Sequence, residues 1–388
     1  MITTRACQLS ARAALVLLSL LATLASAATA PDLTAAQAEQ KGFAHFYGWD
    51  VPVDQVRAAQ FFEQAALEDR PVSQWMLANQ YAWGKGIGKD EARAFALARS
   101  AALQGLPSAQ SMVGWMYLEG VGVTRDPAQA IPWLSAAAQQ GEGSAFHLLA
   151  SAYARGTGVP ADEDFAHRLL MRSAELGDFG GLYAASSVLL FGPAARRDAD
   201  LGLHYLRRAA VAKDTRSAYR LARLYLAGLH VSRDPVEAAR WMRQAAQTGS
   251  VHAKLWLSEL HAQGMGVTRD TDKASELFDQ AIAGASARER NNFAWDLAVN
   301  PDARWRNGVL AVRVMQTLQG PDALNPQYLD TLAAALAETG DFEKAASTQM
   351  RALNELKSRA ELAGDRQQMQ ERLQLYRART AFREPEQS

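Results

Sequence analysis

Residues 107–142 read PSAQSMVGWMYLEGVGVTRDPAQAIPWLSAAAQQGE, and the same outline returns several times on either side of this stretch. Gly48, Gly84, Gly120, Gly156, Gly192, Gly228 and Gly264 stand 36 residues apart, and Asp54, Asp90, Asp126, Asp162, Asp198, Asp234 and Asp270 keep the same step. Two fully occupied columns at one period exceed coincidence, so seven repeats run without insertion from 35 to 286: 35–70, 71–106, 107–142, 143–178, 179–214, 215–250 and 251–286.

Each column has a physical task. A repeat opens with about a dozen residues carrying apolar or small side chains at helical spacing, such as Met112, Val113, Met116 and Tyr117. This helix, A, stops at the glycine, which enters the left-handed conformation past a helix C-terminus without Cβ strain. A Gly-x-Gly-Val loop follows, and the aspartate then stands where a second helix, B, begins. Asp126-Pro127 and Asp234-Pro235 pair an N-cap side chain with proline at the first helical position. A capping carboxylate is worth about 1 kcal/mol, so the aspartates read as structural and not as acid–base or metal groups.

Small residues recur in both helices. Helix A carries Gly42, Ala78, Gly114, Ala150, Ser186, Ala222 and Ser258; helix B carries Ala58, Ala94, Ala130, Ala166, Gly202, Ala238 and Ala274. Facing small residues let two helices approach closely, while Phe61, Leu97, Trp133, Leu169, Tyr205, Trp241 and Leu277 fill the space alongside. The repeat is therefore an antiparallel helical hairpin. One hairpin cannot bury its apolar faces alone, so neighbours must stack.

The stretch 107–142 resembles the Sel1-like repeat family nearly throughout. That family's units pair an Ala-x-x-x-Leu-Gly-x-x-Tyr helix with a Gly-x-Gly-Val-x-x-Asp loop and an Ala-x-x-Trp…Ala-Ala-x-x-Gly helix. The resemblance covers about two thirds of the chain. It implies an all-α fold, a right-handed α/α superhelical solenoid of antiparallel helix pairs, and work as an adaptor or regulator with a protein partner. Three repeats depart from the pattern. The fifth has Ala194 in place of the second loop glycine and the sixth has His230 there, so bending or loosening is expected at both. The first has Lys41 where Leu is usual, as suits a capping repeat with one face in water.

After residue 286 the strict period stops, but helical patterns continue through 287–383. Residues 325–353 resemble a tetratricopeptide unit, with Pro326 starting its first helix, Leu329, Leu332, Ala333 and Leu336 on the core face, Gly340-Asp341 at the turn and Ala345 in the second helix. A charged helix over 365–379 is expected to cover the last apolar face, and 384–388 to form a disordered tail.

The N-terminus reads as an export signal over 1–27. Arg5 and Arg12 form the basic region, 13–24 the apolar stretch, and Ala25-Ser26-Ala27 a small-x-small cleavage site, with 28–34 as linker. The apolar stretch is shorter than the roughly 20 residues a spanning helix needs. The expectation is an exported protein, periplasmic or secreted, of a Gram-negative cell, with no stable membrane insertion after cleavage. Cys7, the one cysteine, would leave with the signal, so no disulfide, thiol chemistry or acylated cysteine is expected in the mature chain. Lysine plus arginine equal aspartate plus glutamate at 41 each, and losing Arg5 and Arg12 leaves a slight acidic excess. That balance excludes the cationic footprint of a nucleic-acid partner.

Catalytic and cofactor motifs are missing. There is no His-Glu-x-x-His, no Gly-x-Ser-x-Gly elbow and no Ser-x-x-Lys with its companion motifs. His45 and His261 occupy a column that holds Tyr81, Tyr117, Tyr153 and Tyr225 elsewhere, and read as aromatic packing groups rather than ligands. Gly84-Lys85-Gly86-Ile87-Gly88-Lys89 lacks the phosphate-loop spacing and lies between helices without a preceding strand. No catalytic residue, metal or cofactor is nominated.

What remains is surface. On helix A, the face opposite the packing residues gathers repeat positions 2, 5, 9 and 13 by the helical step. In the first three repeats it holds Phe43, Tyr47, Trp75, Asn79, Trp83 and Trp115, and later Arg155, Arg223 and Glu259. Two readings are open: an aromatic platform in the concave groove for a protein or peptide partner, or rings packed between successive repeats. The leading expectation is an envelope scaffold or regulatory adaptor. The alternatives are a cell-envelope enzyme or binder acting on peptidoglycan or β-lactam-type ligands, for which no nucleophile is offered, and a cell-wall anchor using exposed Trp and Tyr.

Overall fold

The computed structural model describes residues 33–356 and 364–385; the export signal and Cys7 lie outside them. Among the described residues the regular structure is helical throughout. The described residues divide into two compact bodies that meet between Asp178 and Phe179 in the sequence.

The first body holds four hairpins: α1 (Ala35–Tyr47) with α2 (Gln55–Ala66), α3 (Pro71–Trp83) with α4 (Glu91–Leu103), α5 (Pro107–Glu119) with α6 (Pro127–Gln139), and α7 (Gly143–Arg155) with α8 (Glu163–Glu175). Each first helix is 13 residues long and ends on a left-handed glycine, Gly48, Gly84, Gly120 or Gly156, whose N–H returns to the carbonyl four residues back. Each second helix starts at the expected aspartate. Asp126 accepts from the Ala128 and Gln129 amides at 3.1 and 3.3 Å, and Asp54, Asp90 and Asp162 do the same work.

The aspartate has a second task that its residue type does not announce. Its backbone N–H donates to the carbonyl of the aromatic column in helix A: Asp54 to His45, Asp90 to Tyr81, Asp126 to Tyr117 and Asp162 to Tyr153, at 2.9–3.0 Å. One residue thus ties the loop back to helix A and opens helix B. Inside each hairpin the small columns are buried and the helices nearly touch. A Cβ on Gly114 would lie 2.5 Å from the Leu134 side chain, and one on Gly42 would lie 2.6 Å from the Phe62 ring.

Successive hairpins are joined by an apolar core from Ala58 to Met116 and by a ladder of amides, Gln104 to Gln74 and Gln140 to Gln110, both at 2.9 Å. The second loop glycine explains the tightness of the junction. Gly86, Gly122 and Gly158 have positive φ, and a Cβ on each would strike the backbone at Gln55, Glu91 and Pro127, the first helix-B residue of the preceding repeat.

The second body continues with α9 (Phe179–Phe191) and α10 (Ala199–Val211), α11 (Thr215–Ala227) and α12 (Pro235–Gln247), and α13 (Val251–Gln263) and α14 (Thr271–Ala283). The two departures noted in the sequence differ in outcome. At Ala194 the loop becomes a 3-10 turn over Ala194–Arg196, and Gly192 is not left-handed. At His230, by contrast, the backbone keeps the left-handed conformation, with φ of 59°, and the ring meets Phe191 edge-on at 5.3 Å. The expected loosening at the sixth repeat is therefore corrected: a non-glycine residue takes the same backbone, and an aromatic contact accompanies it. Asp50 does the same in the first repeat, with φ of 57°.

Beyond the repeats come α15 (Ala287–Val299), α16 (Gly308–Met315), α17 (Pro326–Glu338), α18 (Phe342–Leu356) and α19 (Arg366–Arg377). Pro326 opens α17, and Leu329 and Ala333 are buried. The charged last helix covers this end through Met369, Leu373 and Tyr376. It also buries an ion pair: Arg372 grips Asp330 with two nitrogens at 2.8 and 2.9 Å, and Gln349 donates to the same carboxylate at 2.6 Å. The order reaches one step further than the sequence suggests. Glu384, placed in the tail by pattern, donates its N–H to the Val299 carbonyl at 3.0 Å and accepts from the Trp295 indole at 2.6 Å.

Candidate functional site

In the first body, helices A of consecutive repeats lie side by side. Glu39 of α1 accepts from Ser73 of α3 at 2.8 Å and is paired with Arg70, while Ser111 of α5 meets Ser144 of α7 at 2.7 Å. Burial works against the charge on Glu39, but the Ser73 and Arg70 hydrogen bonds outweigh it and hold its carboxyl below the ordinary range.

This layer carries the six residues picked out from sequence, in two groups. Phe43 and Tyr47 stack one turn apart at 6.1 Å, and Phe43 also packs edge-on against Phe62. Trp83 and Trp115, from adjacent repeats, stack at 5.4 Å with 28° between their planes. Trp75 and Asn79 lie near the core: Trp75 packs against it, and the Asn79 amide donates to the Trp75 carbonyl at 2.9 Å.

The two readings left open by the sequence thus divide among the residues. Phe43, Trp75 and Trp115 are half-buried and pack against the core, whereas Tyr47 and Trp83 are 53% and 58% exposed. Sequence spacing missed Trp49, which is 56% exposed and stacks on Tyr47 at 5.1 Å. It follows the helix-ending glycine, where helical periodicity no longer applies. Arg155 is exposed at the same face in the fourth repeat.

The second body presents a different chemistry on its helix-A residues. Tyr183, Phe191, Tyr219, Arg220 and Arg223 line a cavity of about 260 Å³ that Asn300 and Trp305 complete. The Arg223 guanidinium lies 4.4 Å from the Trp305 ring and pairs with Asp296 at 3.1 Å. His252 stacks on Phe293 at 4.8 Å, and burial lowers its pKa below the ordinary imidazole value.

No group of three or more His, Cys, Asp or Glu side chains among the described residues is arranged to hold a metal ion. His45 stacks on Phe61 at 5.6 Å, as an aromatic substitute would. No helix among the described residues is long and apolar enough to cross a membrane.

Stacked helical hairpins with displayed helix-A faces define the class: a helical-repeat solenoid of the scaffold kind. Comparison with family models gives the family itself. The Sel1 repeat model matches residues 42–69, 71–106, 107–142, 145–178, 181–211, 215–250 and 251–286, and the chain belongs to the Sel1 repeat family. Sel1 repeat proteins are protein-interaction scaffolds, on a fold that is generally non-enzymatic.

Among solved structures, a Sel1 repeat protein from Oxalobacter formigenes is 29% identical with a TM-score of 0.51, over 63% of this chain and 99% of that one. A protective antigen of uropathogenic Escherichia coli with an SLR fold is 24% identical with a TM-score of 0.49, over 93% of this chain and 78% of that one. No curated protein matches the chain.

Proposed function

We propose that this protein is an exported adaptor, periplasmic or secreted, whose helix-A layer in the first three repeats receives a peptide or helix of a protein partner. The observation that carries this reading is the exposure of Tyr47, Trp49 and Trp83 on one layer of a scaffold fold. Large rings held in water by half-buried neighbours are the side chains that dominate binding energy at protein interfaces. Phe43 and Trp115 fix them from beneath by stacking, so little side-chain entropy remains to be lost on binding. Export is supported by the basic region, apolar stretch and small-x-small site within residues 1–27.

The test is capture from the envelope fraction with the full chain and with Trp83→Ala. The reading expects a discrete protein held by the parent and weakened at least about tenfold by the substitution, at unchanged helicity. Equal capture by both, or turnover of a peptidoglycan or β-lactam substrate by the purified protein, overturns it. Fractionation tests export independently: the mature protein should leave the cytoplasm and begin at residue 28.

A further inference from the structure

The cavity in the second body contains a cation whose partners do not neutralise it. Among the described residues, Arg220, on α11, has a hydroxyl and two aromatic rings around it and no paired carboxylate. It donates to the Ser187 hydroxyl, its guanidinium lies 4.3 Å from the Tyr183 ring centre and 5.8 Å from that of Phe191, and no acid among the described residues pairs with it. Arg220 is half-buried, and burial, opposed by Tyr183 and aided by the like charge of Arg223, lowers its pKa. Folding should avoid such a group unless something is gained from it.

The surroundings state what could be gained. Arg223, one turn along the same helix, is neutralised by Asp296, which also accepts from the Asn300 amide at 3.1 Å. Its Nε is buried without a partner. Arg216 lies 5.0 Å from the centre of the Tyr183 ring and is mostly exposed, with Asp214 at 3.9 Å. Burial disfavours the charged form of His252. Among the described residues the cavity therefore carries one positive charge without a paired carboxylate, that of Arg220, among aromatic walls.

The wall opposite α11 is built with care. The 3-10 turn Ala303–Trp305 brings Trp305 over Arg223, and the turn is clamped by Arg306, which bonds the Asn300 and Pro301 carbonyls at 2.8 and 3.0 Å and Glu338 at 2.9 Å. Asp302 is tied to Arg304 at 2.7 Å. These bonds tie the turn to the residues on either side of it and to Glu338.

We propose that this recess binds the carboxylate of a peptide, at a chain terminus or on an acidic side chain, with Arg220 as its principal anchor and the residue beside the carboxylate seated among Tyr183, Phe191, Tyr219 and Trp305. A guanidinium over a ring at 4.3 Å keeps edge donors that match the two oxygens of a carboxylate. Charge selects the ligand class: one free positive charge suits a monoanion, whereas a phosphoryl group brings roughly −1.5 to −2 at neutral pH. A volume of about 260 Å³ admits the carboxylate with a neighbouring side chain and no large cofactor. This site does not depend on the aromatic layer of the first three repeats, and either can fail without the other.

The experiment uses the full chain and three probes: an acetylated tripeptide ending in leucine with a free carboxylate, the same peptide as its C-terminal amide, and inorganic phosphate. Binding is followed by calorimetry and by tryptophan emission, with Trp305→Phe identifying the reporting ring. The acid is expected to bind at least about tenfold more tightly than the amide, since a hydrogen-bonded charge pair is lost. Arg220→Gln should abolish that preference and Arg220→Lys should restore part of it, while far-ultraviolet dichroism stays constant. Equal binding of acid and amide, or no binding of either by the parent protein, overturns the proposal without recourse to any variant. Phosphate binding more tightly than the peptide acid overturns the choice of ligand.

Discussion

Replacing Gly122 by alanine tests whether the hairpins are as tightly stacked as described. The residue sits in the left-handed region with φ of 68°, where alanine costs about 1–2 kcal/mol. The larger consequence is steric. A Cβ there would lie 1.9 Å from the Glu91 carbonyl oxygen, backbone of the preceding repeat that cannot rotate aside. Moving two packed elements apart to admit one carbon costs a further 1–3 kcal/mol or so, giving about 2–5 kcal/mol in all. Gly120→Ala is the control. Its φ of 77° imposes the same conformational cost, but the nearest atoms to its Cβ belong to Arg125 of its own loop, at 3.1 Å and beyond. Urea unfolding followed by helical dichroism should place the Gly122→Ala midpoint clearly below that of Gly120→Ala. Equal midpoints would refute the claim that this glycine is required by contact between repeats.

Four further outcomes are expected. Asp126→Ala should cost about 1 kcal/mol by loss of the cap, and chelators should leave the parent melting temperature unchanged. Arg372→Ala should destabilise by about 3–5 kcal/mol, because Asp330 would remain buried and unpaired; the Asp330→Asn, Arg372→Met double variant should cost less in the same thermal melt. Glu39, held below its ordinary carboxylate range, gives stability that is complete above that range and fades as pH falls through the lowered value, so Glu39→Gln should flatten the acid limb of a urea-midpoint profile. Trp115→Ala should leave helicity almost intact yet weaken partner capture, since Trp115 supports the exposed Trp83 ring; unfolding without selective loss of binding would favour a packing role alone.

The repeat, its helix boundaries and its caps were legible because each is a local property with a fixed position in the period. The glycine and aspartate columns fall at helix ends, where backbone chemistry admits few residues. The aspartate's second bond, from its N–H to the Tyr117 carbonyl in its repeat, is invisible in residue type, since every non-proline residue carries an N–H. His230 misled because substitution of glycine suggests a changed backbone, whereas an L-residue can hold the left-handed region when its surroundings determine it.

The aromatic layer was half legible. Helical spacing found Tyr47 and Trp83 but could not rank their exposure above that of Trp75, and it passed over Trp49, which lies outside any helix. The recess in the second body was not legible as a site. Arg223 stood out by its repeat position, but Trp305 comes from a non-repeating turn, and only the folded chain brings the two together.

The central claim is that the helix-A layer of the first three repeats is the surface a protein partner occupies. Photo-reactive side chains placed one at a time at Tyr47, Trp49 and Trp83, with Val56, Leu67 and Leu103, exposed on or at the end of a helix B, as comparisons, test it most directly in intact cells. The account predicts one discrete protein adduct from the helix-A positions and none from the helix-B positions. Adducts only from Val56, Leu67 or Leu103, or none anywhere, would contradict it.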